Sequence, residues 1–380
     1  MRFTFGNILF AVAAALGASS PAHAAQTVKI GVALSMTGPA AVYGTNQKAG
    51  VQAAIDDINK SGALKGVKLE AIFEDDASTK EQGIAVFQKF INKDKVAAII
   101  GPTLSNTATA TDQLAQAAGV PVVAISNTAP KGITDIGDYI WRVCLTELQV
   151  IPPGLKKLQA RLGVKSAALL YGNDDAFTKA GYSVMKTALE GAGIKILGEQ
   201  TFAKPDRDYN AQLTALRAQN PDLLMVSALA ENAAGIVAQA RQLGWKVTIM
   251  GGNGFNVPAF IKNAGPAAEG VYAGTAWYKP GTSPANQAFL KLMAARGIDP
   301  DQFAAQSYAG TQVIAEAVKL SGMKTGRADI KAGLAKVKDL PTPLGPFSFL
   351  DKATDTALPR DANHAPTFQV VKDGKFAAVE

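Results

Sequence analysis

The residues best suited to chemistry sit at two junctions where an apolar stretch gives way to a helical one. The first is Ile100-Gly101-Pro102-Thr103-Leu104-Ser105-Asn106-Thr107 and the second is Ile125-Ser126-Asn127-Thr128. The first four N–H groups of a helix have no intrahelical acceptor. Hydroxyl residues there either cap the helix or stand beside free N–H groups that face a ligand. Such a terminus suits a carboxylate. Desolvating an anion is costly unless N–H and O–H donors replace the lost water. The helix dipole adds about 0.3–1 kcal/mol near the surface and about 2 kcal/mol when partly buried. Uncharged donors leave no fixed positive charge in the empty site, so the ligand stays releasable. Either loop alone reads as capping and turn formation. Two together, in a chain with no catalytic set, read as a binding site.

Other chemistries find little support. The chain has no Gly-x-Ser-x-Gly elbow and no phosphate loop ending in Gly-Lys-Ser/Thr. Gly252-Asn253-Gly254 lacks the third glycine of a dinucleotide fingerprint and reads as a turn after the strand Val247 to Met250. A Ser/His/Asp triad would have to use His364, in a polar, Pro-flanked stretch where a surface position is expected. Asp56-Asp57, Asp75-Asp76 and Asp174-Asp175 are adjacent acids, expected to be solvated. Adjacency alone makes no acid–base pair. Cys144, the single cysteine, lies in the apolar run Tyr139 to Leu145 and is expected to be a small buried hydrophobe. After the signal segment, one Cys and one distant His make no metal site. No cofactor, no metal and no enzymatic activity are therefore expected. An exported hydrolase using the Asp174-Asp175 loop is the enzyme alternative, opposed by the missing nucleophile motif and the scarcity of histidine.

The elements that position these loops alternate strand and helix. Val28 to Leu34, Val67 to Phe73, Val96 to Ile100 and Val120 to Ile125 read as strands. Gly44 to Lys60, Gln82 to Asn92 and Ser105 to Ala118 read as the helices between them. The pattern restarts after Thr146, with strands Ala167 to Tyr171, Ile194 to Phe202, Leu223 to Val226 and Val247 to Met250. Its helices are Phe177 to Glu190, Tyr209 to Gln219 and Glu231 to Leu243. Helices Asn286 to Arg296 and Phe303 to Ser321 follow, then short strands at Phe347 to Leu350 and Phe368 to Val371. Alternation with apolar strands means parallel sheets covered on both faces. The two halves share a layout, each opening with a strand, an aromatic-bearing loop (Tyr43, then Phe177) and a long helix. That predicts two α/β lobes of one architecture.

Composition bounds the class. A 380-residue chain that is 48% hydrophobic can bury a large core, which excludes wholesale disorder. Lys plus Arg number 38 against 31 Asp plus Glu, a net +7 spread without a basic block. That is a surface-charge property and not a nucleic-acid footprint. Met1 to Ala24 reads as a secretory signal peptide: Arg2, the apolar Ile8 to Leu16, and a small-x-small site at Ala22-His23-Ala24. Cleavage near Ala24 and export to the periplasm are expected. The apolar stretch is too short for a stable anchor, and no Cys follows it to carry a lipid.

Taken in order, several further pieces resemble the leucine/isoleucine/valine-binding family of periplasmic solute-binding proteins of ABC importers. They are Lys29-Ile30-Gly31-Val32, Thr37-Gly38-Pro39 with Tyr43-Gly44, Gly50 to Asn59 closing at Gly62, Glu74-Asp75-Asp76, Ile100-Gly101-Pro102, Pro121 with Ile125-Ser126, Trp141-Arg142, Gln239-Ala240-Arg241 with Gly244, and Ala268-Glu269-Gly270-Val271. The resemblance covers nearly all of the chain after the signal. It implies the periplasmic binding protein-like I fold: two Rossmann-like α/β lobes with parallel sheets, joined by a three-stranded hinge, with ligand in the cleft. Lobe 1 would hold 26–146 with about 277–352, and lobe 2 would hold 147–276 with about 353–380.

Carried over by the resemblance, Ser105 matches the hydroxyl that binds the ligand carboxylate. Ser126 and Thr128 match the second loop on the same ligand. Tyr43 matches an aromatic wall of lobe 1. Phe177 matches a lobe-2 tyrosine and lacks its phenol oxygen. Asn253 falls where amino-acid binders carry an acid that pairs with the ligand ammonium, and a lobe-2 aromatic is replaced near Leu229 and Ala230. An ammonium taken from water needs an opposite charge or several acceptors. Asp175 or Glu231 would have to supply it. Otherwise the ligand is an aromatic or aliphatic carboxylic acid, or a small amide, held between Tyr43 and Phe177. The implied partners are a small carboxylate, branched-chain or other hydrophobic amino acids first, and an inner-membrane permease with its ATPase. The protein would act as a monomer. A ligand sensor for a signalling receptor is the alternative role.

Overall fold

The computed structural model describes Met1 and residues 26–379. The signal-peptide reading of Met1 to Ala24, with its cleavage site, otherwise lies outside the described residues. The first sheet is wholly parallel and contains β1 (Gln26–Leu34), β2 (Val67–Asp75), β3 (Ala98–Ile100), β4 (Val122–Ala124) and β5 (Ile140–Arg142), in the order β2-β1-β3-β4-β5. Its helices are α1 (Ala41–Ser61), α2 (Lys80–Lys89), which runs into a π-turn at Phe90–Asp94, and α3 (Ser105–Ala117). The order reverses between β1 and β3, so the loops after those strands splay apart and leave a crevice at their carboxyl ends. β1 changes from partly exposed to continuously buried along its length, as a strand covered on both faces must.

The second sheet repeats the plan. After α4 (Glu147–Leu162) come β6 (Ser166–Gly172), α5 (Ala176–Gly191), β7 (Lys195–Phe202), α6 (Asn210–Arg217), β8 (Leu223–Ser227), α7 (Ala230–Gln242), β9 (Thr248–Gly251), α8 (Pro258–Ala264) and β10 (Val271–Thr275). Strands β10, β9, β8, β6 and β7 lie parallel in that order. The chain then adds α9 (Pro284–Ala295), α10 (Gln302–Leu320) and α11 (Arg327–Leu334), a small hairpin of β11 (Leu340–Thr342) and β12 (Gly345–Phe347), and a second hairpin of β13 (Thr367–Lys372) and β14 (Lys375–Ala378). β13 joins the second sheet antiparallel to β10. Helix α10 packs along α1, where the backbones come so close that a Cβ on Gly50 would stand 2.2 Å from the Ala304 carbonyl oxygen. The chain therefore crosses between the two bodies after β5, after β10 and before β13.

Seven elements escape the sequence pattern: β5, α4, α8, β10, α11, β11 and β14. Helix α4 contains Pro152-Pro153, which reads as a breaker. A capping box at Thr146 and Gln149 and a left-handed Gly163 at the other end define it instead. The crossings are tied at Arg142. This fully buried side chain makes a two-pronged pair with buried Asp361, Nε to Oδ1 at 2.8 Å and Nη2 to Oδ2 at 2.9 Å, and donates to the carbonyls of Asn127 and Ala129.

Three expectations need correction. His364 is not a surface residue. It is half-buried beside Phe347 with both ring nitrogens hidden from solvent, and burial pushes its pKa down to about 4. Asp76 and Asp175 are buried rather than solvated. Asp76 accepts through Oδ1 from the Ser35 hydroxyl at 2.6 Å and the Ser78 N–H at 2.9 Å, and Asp175 caps α5. Cys144 is buried, as its apolar surroundings predict, and burial pushes its thiol up to about 12.

Candidate functional site

The seven residues singled out from the sequence line one pocket between the two sheets. Tyr43, Ser105, Ser126, Thr128, Phe177, Leu229 and Asn253 are joined there by Thr103, Leu104, Gly254 and Phe303. The first sheet contributes the loops after β3 and β4. The second contributes those after β6, β8 and β9. All five are carboxyl ends of parallel strands, where doubly wound sheets place their ligands. Gly254 is required by this convergence, since a Cβ on it would sit 2.3 Å from the Ala228 carbonyl oxygen and 3.2 Å from the Phe177 ring.

The polar floor is more differentiated than the sequence implies. Ser105 opens α3, whose amino end has no side-chain cap. Its Oγ accepts a long bond from the Ala129 N–H at 3.4 Å, which leaves the hydroxyl proton to donate. Ser126 is committed internally: Oγ donates to the Thr103 carbonyl at 2.7 Å and accepts from Gln47 Nε2 at 2.6 Å. Thr103 in turn donates to Gln47 Oε1 at 2.6 Å. Gln47 thus pins both loops from the buried face of α1. The sequence reading passed over it, although a polar residue in register with Tyr43, Val51 and Ala54 is a detectable signal.

Tyr43 is more than a wall. Its hydroxyl donates to the Gly254 carbonyl at 2.8 Å and accepts from the Ala230 N–H at 2.6 Å. Ala230 is the first residue of α7, whose N-cap position is the apolar Leu229. A phenol from α1 therefore caps a helix of the other body. Burial raises the Tyr43 pKa above its usual value, so the phenol stays protonated. The ring packs against Phe303, centroids 4.6 Å apart. Phe177, Leu229, Leu104 and Phe303 complete an apolar end.

Neither acid proposed as a substitute at Asn253 faces the pocket. Asp175 accepts from the Phe177 and Thr178 N–H groups at 2.9 and 3.3 Å and pairs with Lys204 at 3.2 Å. Glu231 is exposed and pairs with Arg207. Asn253 instead meets Glu147, which the sequence reading did not single out. Glu147 is the first residue of α4 and is 1% exposed. Its Oε1 accepts from Thr128 Oγ1, the Asn253 N–H and Asn253 Nδ2, each at 3.1 Å. Burial raises its pKa to about 7 against those hydrogen bonds. Asp301, which caps α10 and accepts from Asn46 Nδ2 at 2.6 Å, is likewise raised by burial to about 7. Among the described residues no charged side chain lines the pocket itself. No group of three or more His, Cys, Asp or Glu side chains able to hold a metal occurs among the described residues. The arrangement suits a small molecule with one acceptor-rich head and a compact apolar body.

A model of the periplasmic binding protein family matches residues 27–375. A leucine-, isoleucine-, valine-, threonine- and alanine-binding protein of Pseudomonas aeruginosa is 31% identical over 348 residues, covering 90% of this chain and 91% of that one. The branched-chain amino acid transporter substrate binding protein LivJ of Streptococcus pneumoniae, solved in complex with isoleucine, aligns with a TM-score of 0.84 at 28% identity, over 93% of this chain and 98% of that one. A solute binding protein of an ABC transporter from R. palustris, solved with 4-hydroxybenzoate, shares the fold at a TM-score of 0.82 and 24% identity, over 93% and 96%. No helix among the described residues is long and apolar enough to cross a membrane. With two parallel α/β sheets, three crossings and a family match spanning almost its whole length, this chain belongs to the leucine/isoleucine/valine-binding family of periplasmic binding proteins.

Proposed function

We propose that the protein is the substrate-binding component of an ABC importer. It captures a small hydrophobic carboxylate, a branched-chain amino acid first, and delivers it to an inner-membrane permease with its ATPase. One observation carries the reading. The uncommitted hydroxyl of Ser105, at the uncapped amino end of α3, opens onto a small pocket whose remaining lining is apolar or uncharged. The names of the P. aeruginosa and S. pneumoniae relatives support the ligand class.

In this reading lobe 1 is 26–146 with about 277–352, and lobe 2 is 147–276 with about 353–380. A ligand held by the Ser105 and Thr128 hydroxyls and the backbone of Ser126 is covered by Phe177, Leu229 and Asn253. Contact with both lobes makes closure favourable. Capture without turnover is proposed, in line with the binding proteins among its relatives. The mature chain begins near Ala25 and works in the periplasm as a monomer. The uncharged lining, with Asn253 where an acid was expected, favours a second reading: an aromatic or aliphatic carboxylic acid without an amino group.

A thermal-shift screen over aliphatic amino acids, aromatic acids, keto acids and small amides tests the proposal. A ligand at about 100 times its dissociation constant adds about 2.7 kcal/mol of apparent stability. Stabilisation by leucine or isoleucine supports the first reading, and stabilisation by benzoate alone supports the second. A flat response across the panel refutes both.

A further inference from the structure

We infer that Glu147 is a proton-linked positioning residue of the ligand pocket: it takes up a proton when the bound ligand is a plain carboxylate and gives one up when the ligand brings its own ammonium group. The inference rests on the proposed function and adds a residue that recognises ligand charge without lining the pocket.

Glu147 is buried without a cation in ion-pair range among the described residues. Its hydrogen-bond donors, Thr128 and Asn253, both line the pocket. The direction of those bonds is fixed from outside. The Ala276 N–H can only donate, and it donates to Gln302 Oε1 at 2.8 Å. Gln302 must therefore present Nε2 to Asn253 Oδ1, at 3.0 Å. Asn253 must then present Nδ2 to Glu147. Asn253 can only donate to Glu147, so among the described residues the one hydrogen-bond partner able to accept a proton from Glu147 is Thr128 Oγ1.

Thr128 has one hydroxyl proton, and ionised Glu147 holds it. A ligand carboxylate that needs that proton must compete with another carboxylate. If Glu147 takes a proton from solvent, its O–H donates to Thr128 Oγ1, and the Thr128 hydroxyl turns to the ligand. Charge repulsion is removed in the same step. A ligand ammonium acts in the opposite sense, because it stabilises ionised Glu147. The other ionisable groups around this end of the cleft are Tyr43 on α1, Asp301 at the start of α10, Asp175 paired with Lys204 at the start of α5, Cys144 in the preceding segment, and Arg142 paired with Asp361 beside β5. None is an unpaired cation. Burial raises the Glu147 pKa to about 7, which puts both charge states within reach at neutral pH.

Calorimetry of the full mature chain at pH 7, in buffers of different ionisation enthalpy, with leucine and benzoate as probes, reads the proton count. Benzoate binding takes up roughly half a proton and weakens about tenfold per pH unit above 7. Leucine binding releases roughly half a proton and weakens about tenfold per unit below 7. Glu147→Gln abolishes the count and flattens the profile for whichever probe binds, and Thr128→Val reduces the benzoate uptake. A bound probe with no proton exchange, or an unchanged count in Glu147→Gln, overturns the inference. If neither probe binds, the proposed ligand class fails separately. The inference is then decided by carboxyl NMR of the ligand-free chain: a glutamate resonance absent from Glu147→Gln must titrate near pH 7, and titration in the ordinary carboxylate range overturns it.

Discussion

Replacing Tyr43 with Phe removes one oxygen and two hydrogen bonds that join the two bodies, to the Gly254 carbonyl and from the Ala230 N–H. The ring and its contact with Phe303 remain, so the pocket keeps its shape. With the bodies together, a buried donor and a buried acceptor lose their partner, at a cost of about 1–3 kcal/mol. With the bodies apart, water satisfies both groups. The penalty therefore falls on closure and not on folding. Affinity should drop roughly 5- to 150-fold, while the denaturation midpoint of the ligand-free chain stays within about 1 kcal/mol of wild type. Calorimetry with leucine or isoleucine measures the first quantity and urea titration the second. Small-angle scattering of the ligand-free chain should show a larger radius of gyration for Tyr43→Phe. Unchanged affinity together with an unchanged radius would refute the latch.

Other outcomes follow from the same geometry. Ser105→Ala combined with Thr128→Ala should remove most ligand affinity in calorimetry while leaving the fold intact by circular dichroism. Asp361→Asn breaks a fully buried two-pronged pair with Arg142 and should cost about 3–5 kcal/mol in urea unfolding. The raised pKa of Glu147 makes its neutral form the stabilising one: its contribution is full below about pH 4.5 and is lost as pH rises to about 7. Glu147→Gln should therefore flatten part of the fall in ligand-free stability across that window, measured by urea titration at each pH. The Cys144 thiol, buried and pushed up to about 12, should resist thiol reagents until the chain is unfolded.

The strands and long helices were legible because each answers to a local rule. An apolar run flanked by polar turns makes a covered strand, and apolar residues at helical spacing make a helix. The elements that were missed break those rules locally and are restored by distant partners. Helix α4 tolerates Pro152-Pro153 behind its capping box, and β10 is fixed by pairing with β9 and β13. The hydroxyl loops at Ser105 and at Ser126 to Thr128 were legible because strand-to-helix loops of a parallel sheet converge at one edge, whereas Tyr43, Phe177, Leu229 and Asn253 were marked only by the family resemblance. The commitments of their hydrogen bonds were not, because a hydroxyl at a junction looks the same whether its proton is free, as at Ser105, or spent, as at Ser126.

The linear chain alone settled the α/β class, the two matching halves and the loops that carry donors, since spacing and residue type suffice for each. Only tertiary contact decided that Tyr43 caps a helix in the opposite body, that Gln47 ties two loops together, that Asp175 and Glu231 are spent on Lys204 and Arg207, and that a buried acid meets Asn253. Glu147 is 106 residues from Asn253 in sequence. Whether a carboxylate is solvated or buried without a counter-ion depends on which distant groups surround it, and that is a property of packing.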